Sequence, residues 1–270
     1  MPAAVGGDAT ALHQARVASR RIREALPLVA RPAPKLMRQV RRITRALGPV
    51  RELDVALLLL DELDRSGVPR QALARLRQAV SGERERLYAD MRQRLGGTVD
   101  LAKLRKRALA AAERGCTDGH LPDTEGLDRA LRRAGRRGER LRAAIETAAG
   151  MYLPDRLHEV RIAVKKLRYS LELVRELTGS RAMARIRALK RAQDLLGRMH
   201  DLEVLIARTR GLQGGAGAPN LKLSGDLDRI VRRLETECRQ LHGQYMGARQ
   251  SLLDICEDAI AAAAGSSQAA

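Results

Sequence analysis

His13, Arg16, Arg20, Arg21 and Arg23 stand in one short stretch, spaced H-x-x-R-V-x-x-R-R-x-R. The same pattern returns at His158, Arg161, Lys165, Lys166 and Arg168, with Ile162 where the first copy has Val17. Guanidinium forks grip oxyanions bidentately, lysine adds a point charge, and a neutral imidazole can donate a hydrogen bond or take up a proton beside an anion. The chemistry on offer is therefore the holding of a polyanion. A second block is also duplicated: Leu47-Gly48-Pro49-Val50-Arg51-Glu52-Leu53-Asp54-Val55 matches Leu196-Gly197-Arg198-Met199-His200-Asp201-Leu202-Glu203-Val204. Counted back from each glycine, Arg38, Arg41 and Arg42 align with Arg187, Lys190 and Arg191. Two blocks repeated in the same order identify a tandem duplication, with its join expected within about 115–123 and a first half of 1–120 followed by a second of 121–265.

The carboxylates offer less. Glu52 with Asp54, and Asp201 with Glu203, resemble acid/base or metal-binding dyads, but residues two apart on a helix lie about 200° apart and cannot serve one centre. They are expected to stabilise helix N-termini or to pair with arginines of the other repeat. His200-Asp201 is similar to the metal-dependent HD phosphohydrolase pair, yet Arg51 occupies the matching place in the first copy. There is no Gly-Lys-Ser or Gly-Lys-Thr phosphate loop, no G-x-S-x-G elbow, and Ile162 stands where a zincin beginning at His158-Glu159 needs its second histidine. Cys116, Cys238 and Cys256 lack C-x-x-C spacing. No catalytic centre, metal or cofactor is expected.

Helices must position these residues, since apolar spacing near 3.6 dominates the chain. They are expected at about 9–30, 34–47, 50–65, 69–95, 99–114, 124–149, 155–178, 182–196, 198–211 and 223–262, broken at Gly and Pro. Gly211 to Ser224 reads as a mobile loop, and Ala261 to Ala270 as a fraying end. At about 100° per residue, His13, Arg16, Arg20 and Arg23 share a sector of about 80°, opposite Ala15, Ala18, Ile22, Ala25 and Leu26. His158, Arg161, Lys165 and Arg168 share the corresponding sector, opposite Val160, Ala163, Val164, Leu167 and Leu171. Ordinary solvated faces mix charges so that opposite signs pair between turns, whereas cations stacked on adjacent turns repel unless an anion sits among them.

Composition agrees. The 270 residues carry 51 Lys and Arg against 32 Asp and Glu, a formal charge of +19, with no Phe, no Trp and four Tyr. A G+C-rich genome can explain the abundance of Arg but not the excess of basic over acidic residues. A core of Leu, Val, Ile, Ala and Met suits helices, and the scarcity of aromatic rings removes the stacking platforms on which single-stranded nucleic acids are held. No signal-peptide pattern or membrane-spanning run is found, so a soluble cytoplasmic protein is expected.

The paired motif at His13–Arg23 and His158–Arg168, with the L-G-x-x-[RH]-[DE]-x-[DE]-V element at Leu47–Val55 and Leu196–Val204, resembles the CHAD family, the conserved histidine α-helical domain. The resemblance spans about residues 8–262. Glu52 and His200 depart from the family pattern, where Asp and Arg are commoner, which bears on Arg51 and His200 as site residues. The resemblance implies an all-α fold of two four-helix-bundle-like halves about a pseudo-two-fold axis, and a basic central groove or pore that binds long-chain inorganic polyphosphate without enzymatic action. The groove would be lined by His13, Arg16, Arg20, Arg21, Arg23, Arg38, Arg41, Arg42, Arg51, His158, Arg161, Lys165, Lys166, Arg168, Arg187, Lys190 and Arg191. It also implies association with polyphosphate granules. A chain of phosphates without bases needs cations but no aromatic platform, so this ligand suits the composition. Contact with a nucleic-acid backbone, as in a nucleoid-associated protein, is the alternative.

Overall fold

In a computed structural model, the described residues are 8–29, 33–95, 106–110, 123–179, 182–214 and 220–268. Among them there is no strand. The long helices are α1 (Ala9–Val29), α2 (Pro34–Asp64), α3 (Arg70–Leu95), α4 (Asp123–Ala148), α5 (Pro154–Thr178), α6 (Met183–Gln213) and α7 (Leu221–Gln268), and residues 106–110 are also helical. Local chemistry sets several ends. Asp8 caps α1, its Oδ1 accepting from the backbone N–H groups of Thr10 (2.8 Å) and Ala11 (3.2 Å). Asn220 Oδ1 does the same for α7 through the Leu223 N–H. α5 starts with Pro154 in its first turn and stops at Gly179, whose left-handed backbone (φ 62°) lets its N–H reach the Arg175 carbonyl.

Two expected breaks are absent. α2 runs straight through Gly48-Pro49, and α6 through Gly197. Proline inside a helix removes one hydrogen bond and costs about 3 kcal/mol. Here the row Val40, Ile43, Leu47, Val50, Leu53, Ala56 and Leu60, each 3 % exposed or less, continues unbroken on both sides of Pro49, so burial along the whole helix outweighs one lost bond. The Gly211–Ser224 loop is shorter than expected, because α6 continues to Gln213 and α7 begins at Leu221. Helix also continues to Gln268, through most of the expected frayed tail. The repeat join at about 115–123 falls almost entirely outside the described residues, as do most of the helix expected at 99–114 and Cys116. No helix among the described residues is long and apolar enough to cross a membrane.

The chain packs as two compact units, interleaved in sequence. Unit 1 draws on Met1–Arg20, Lys35–Arg105 and Met199–Arg239, and unit 2 on Arg21–Pro34, Lys106–Arg198 and Gln240–Ala270. Each unit thus takes chain from both sequence repeats. The core of unit 1 includes Leu12, Leu47, Leu53, Leu60, Leu76 and Met91, and that of unit 2 Leu141, Ile145, Leu167, Leu189, Leu196 and Tyr245. In unit 2, α4 and α7 approach closely along glycines: a Cβ on Gly135 would lie 2.5 Å from the Ala263 Cβ, and one on Gly138 2.9 Å from the Cys256 carbonyl oxygen.

Candidate functional site

In unit 1 the site begins with the seat of α1 on α2. Leu12 and Ser19 are buried. The Ser19 hydroxyl accepts a hydrogen bond from Thr44 Oγ1 (3.0 Å) and donates to the Arg16 carbonyl (2.9 Å), while Thr44 Oγ1 also lies 2.9 Å from the Val40 carbonyl. This rotates the buried arc of α1 from the expected face. Ala18 is exposed, and Arg16 and Arg20 sit half-buried at the edge of the arc. One turn from the Ser19–Thr44 contact, the Arg16 guanidinium lies against the helix backbone at Gly48, where a Cβ would stand 2.8 Å from Nη1. One turn further, Arg51 of α2 is close enough to act on His13. The pairings Ser19–Thr44, Arg16–Gly48 and, by charge alone, His13–Arg51 descend α1 as they ascend α2, so the two helices run antiparallel and bring one imidazole and three guanidiniums, those of Arg16, Arg20 and Arg51, into one neighbourhood.

That crowding shows in the histidine. His13 is exposed, yet partial desolvation first, and then Arg51, Arg20 and Arg16, hold its imidazolium below the ordinary value of 6.5. Arg38, Arg41 and Arg42 are exposed on the earlier turns of α2. Arg42 has a further task there, because its Nη2 donates to the Arg94 carbonyl (3.0 Å) at the C-terminal end of α3.

Unit 2 repeats the central relation. Arg161 of α5 lies over Gly197 of α6, its Nε 3.9 Å from where a Cβ would be. His158 is half-buried and is likewise lowered, by burial first and then by Arg161 and Lys165, against the opposing pull of Asp155 and Glu159. Arg168 lies in the same sector but is engaged differently. Its Nε donates to Gln193 Oε1 (3.0 Å), its Nη1 pairs with Glu172, and its guanidinium sits 4.5 Å from the centre of the Tyr169 ring. Lys166 is exposed and lines a cleft between α4 and α5. Arg187, Lys190 and Arg191 are exposed on α6. Arg21 is exposed and Arg23 half-buried, both in the part of α1 that belongs to unit 2.

The carboxylates adjoining the motif hold arginines. Asp54, 5 % exposed, accepts from Arg84 Nε (2.7 Å), and Glu52 from Arg208 Nη2 (3.1 Å), which also reaches Glu83 (3.2 Å). Arg208 comes from the other repeat and Arg84 from the same one. Both carboxylates sit in the middle of α2, so neither caps a helix N-terminus. Among the described residues no group of His, Cys, Asp and Glu is arranged to hold a metal ion.

One network escaped sequence reasoning. Glu24, one residue past the first motif, accepts from Arg133 Nη2 (2.9 Å) and pairs with Arg137, which also donates to the Lys166 carbonyl (2.7 Å) and the Ser170 hydroxyl (2.8 Å). These arginines hold the Glu24 carboxyl below its ordinary range despite burial. The available signal was a lone acid at the end of a basic stripe, together with arginines spaced i, i+4 on α4. The contact itself spans more than a hundred residues of sequence.

The class is now defined: an all-helical protein carrying a duplicated histidine–arginine helix, in which the motif arginine lies over a glycine of the next helix. The chain belongs to the CHAD domain family, whose profile matches residues 2–210, well over half of it. The family is associated with polyphosphate binding. The fold is similar to that of the crystal structure of the CHAD domain from the plant Ricinus communis, with a TM-score of 0.62 and 22 % identity, covering 90 % of this chain and 82 % of that one. No curated protein matches the sequence.

Proposed function

We propose that this protein binds long-chain inorganic polyphosphate and does not turn it over. The observation that carries the reading is the cation cluster built twice, His13 with Arg16, Arg20 and Arg51, and His158 with Arg161 and Lys165. In each, a guanidinium rests against a glycine of the neighbouring helix. Cations gathered in this way attract a polyanion, and binding energy then comes from charge-assisted hydrogen bonds and from release of counterions. Two clusters on one chain make the interaction with a polymer multivalent. The second-rank residues Arg38, Arg41, Arg187, Lys190 and Arg191 extend the positive surface, and a protein of this kind would accumulate on polyphosphate granules. Arg168 and Arg42, already engaged inside the protein, contribute more to the scaffold than to the ligand.

Equilibrium titration with long-chain polyphosphate at about 150 mM salt, with duplex DNA and RNA as competitors, tests the reading. Polyphosphate should resist displacement by equal charge concentrations of either nucleic acid, and complete displacement refutes the proposal in favour of backbone binding. Arg16→Ala with Arg20→Ala, or Arg161→Ala with Lys165→Ala, should each weaken binding and flatten the salt dependence. Phosphate released from the polymer in the presence of divalent metal refutes the non-enzymatic part.

A further inference from the structure

Lys166 and the arginine-rich helix α4 together form a feature outside the histidine clusters. α4 and α5 belong to one unit and are joined by the tight turn at Ala149 (φ 49°) and Gly150 (φ 80°). Between them lies an open cleft of about 220 Å³. Its floor is apolar, from Ala144, Ile162 and Ala163, and its polar rim comprises Arg140, Lys166 and Glu159. Arg137 sets the register. It is 9 % exposed and fixed to the Lys166 carbonyl, the Ser170 hydroxyl and Glu24, which places Arg140 on the next turn of α4 level with Lys166. Arg140 and Lys166 are exposed, and neither side chain pairs with a carboxylate among the described residues. Glu159 stands two turns back along α5, about 10 Å away. It lies 3.4 Å from the exposed Arg156 and also acts on His158.

Two free cations at one end, an apolar floor and a carboxylate at the other end describe a short ligand with a defined polarity. We propose that this cleft takes a guanine nucleoside monophosphate: the phosphate between Arg140 and Lys166, the base face on Ile162 and Ala163, and its edge toward Glu159. A phosphate dianion suits a guanidinium fork and an ammonium together. Aliphatic side chains give a purine a flat apolar contact, and a carboxylate accepts hydrogen bonds from neighbouring N–H donors on a base edge. Guanine carries such donors side by side. The bare edge of adenine alternates donor and acceptor and would turn an acceptor toward Glu159. Polyphosphate has neither an apolar body nor donors and uses only the cationic end.

Calorimetric titration of the full chain with GMP, AMP, guanosine and orthophosphate tests the assignment. GMP should bind about tenfold or more tightly than AMP, guanosine or orthophosphate. Arg140→Ala and Lys166→Ala, both at exposed positions, should each weaken GMP by about tenfold, and Glu159→Gln should bring GMP close to AMP. The Arg16→Ala, Arg20→Ala variant should bind GMP as the parent does, which separates this site from the polyphosphate reading: loss of either activity alone refutes only its own proposal. GMP binding no tighter than orthophosphate, equal binding of AMP and GMP, or undiminished GMP binding by the Arg140 and Lys166 variants overturns it. Helical circular dichroism and melting identical to the parent confirm that the variants are folded.

Discussion

Gly48 and Gly197 occupy the same place in the two repeats, yet alanine should act differently at each. At 197 the added Cβ meets Arg161 Nε at 3.9 Å, an ordinary van der Waals distance. Gly197→Ala therefore keeps the arginine in place and gains the helix preference of alanine over glycine, about 0.8–1 kcal/mol, which raises the melting temperature by about 2–4 °C in a chain of this size. At 48 the same gain is opposed twice. The Cβ would stand 2.8 Å from Arg16 Nη1, so the guanidinium must leave, and residue 48 precedes Pro49, whose ring crowds a helical neighbour bearing a Cβ. Stability should change little, because the crowding atom is the far end of a flexible side chain and the proline restriction offsets the helix gain. Affinity should not survive so well. Losing one charge-assisted contact, worth about 1.5–3 kcal/mol, weakens polyphosphate binding about tenfold or more, as in Arg16→Ala. Thermal melts and titration calorimetry at about 150 mM salt measure both quantities on both variants. Equal affinities for the two variants, or a weaker Gly197→Ala, would refute the idea that Gly48 exists to seat Arg16.

Further outcomes follow from other contacts. Glu24→Gln leaves Arg133 and the buried Arg137 without their carboxylate and should cost about 3 kcal/mol in guanidinium unfolding; a change below about 1 kcal/mol would mean the network is solvated. Because the folded-state Glu24 pKa is depressed, its stabilisation is full above the ordinary 4.5 and is lost as pH falls through the folded value, so Glu24→Gln should flatten acid unfolding in that range. His13 and His158 are also depressed below 6.5, so in the free protein their neutral forms favour stability above 6.5 and that contribution declines as pH falls toward the folded values. A polyanion reverses the shift, so binding should take up protons and tighten as pH falls through this range; calorimetry in buffers of different ionisation enthalpy should detect the uptake, and proton release would contradict the placement of both histidines. Arg168→Gln should lower the melting temperature while leaving the salt slope of binding unchanged, whereas Arg161→Ala should reduce the salt slope.

The duplicated motifs reveal the helical class and the paired histidine helices because they repeat at helical spacing. The seat of those helices is less legible. A wheel drawn from apolar residues puts Ala18 inside and ignores Ser19, whereas the packed face is set by a hydroxyl pair between Ser19 and Thr44 that hydrophobicity cannot rank. Gly48-Pro49 and Gly197 look like stops because breaker signals are local, while the buried row that carries α2 past Pro49 is read only over its whole length. Arg168 looks like Arg161 from spacing alone. Glu172, one turn on, could have flagged its pairing, but Gln193 could not, since that contact depends on how α5 meets α6. The Glu24 network fails in the same way: charges far apart in sequence meet only after three segments have packed.

The interleaving of the two units bears on how the protein is made. Unit 1 is not complete until residues 199–239 exist, and unit 2 needs Gln240–Ala270. Synthesis must therefore pass residue 239 before the core of unit 1 can close and run beyond Gln240 before that of unit 2 can, although individual helices and the α4–α5 hairpin can form earlier. Two genes encoding the sequence repeats separately would each yield a polypeptide lacking part of both cores, so the halves should refold only when mixed. For a helical protein this is an unusually non-local route, with apolar faces waiting on late segments and open to chaperones throughout synthesis.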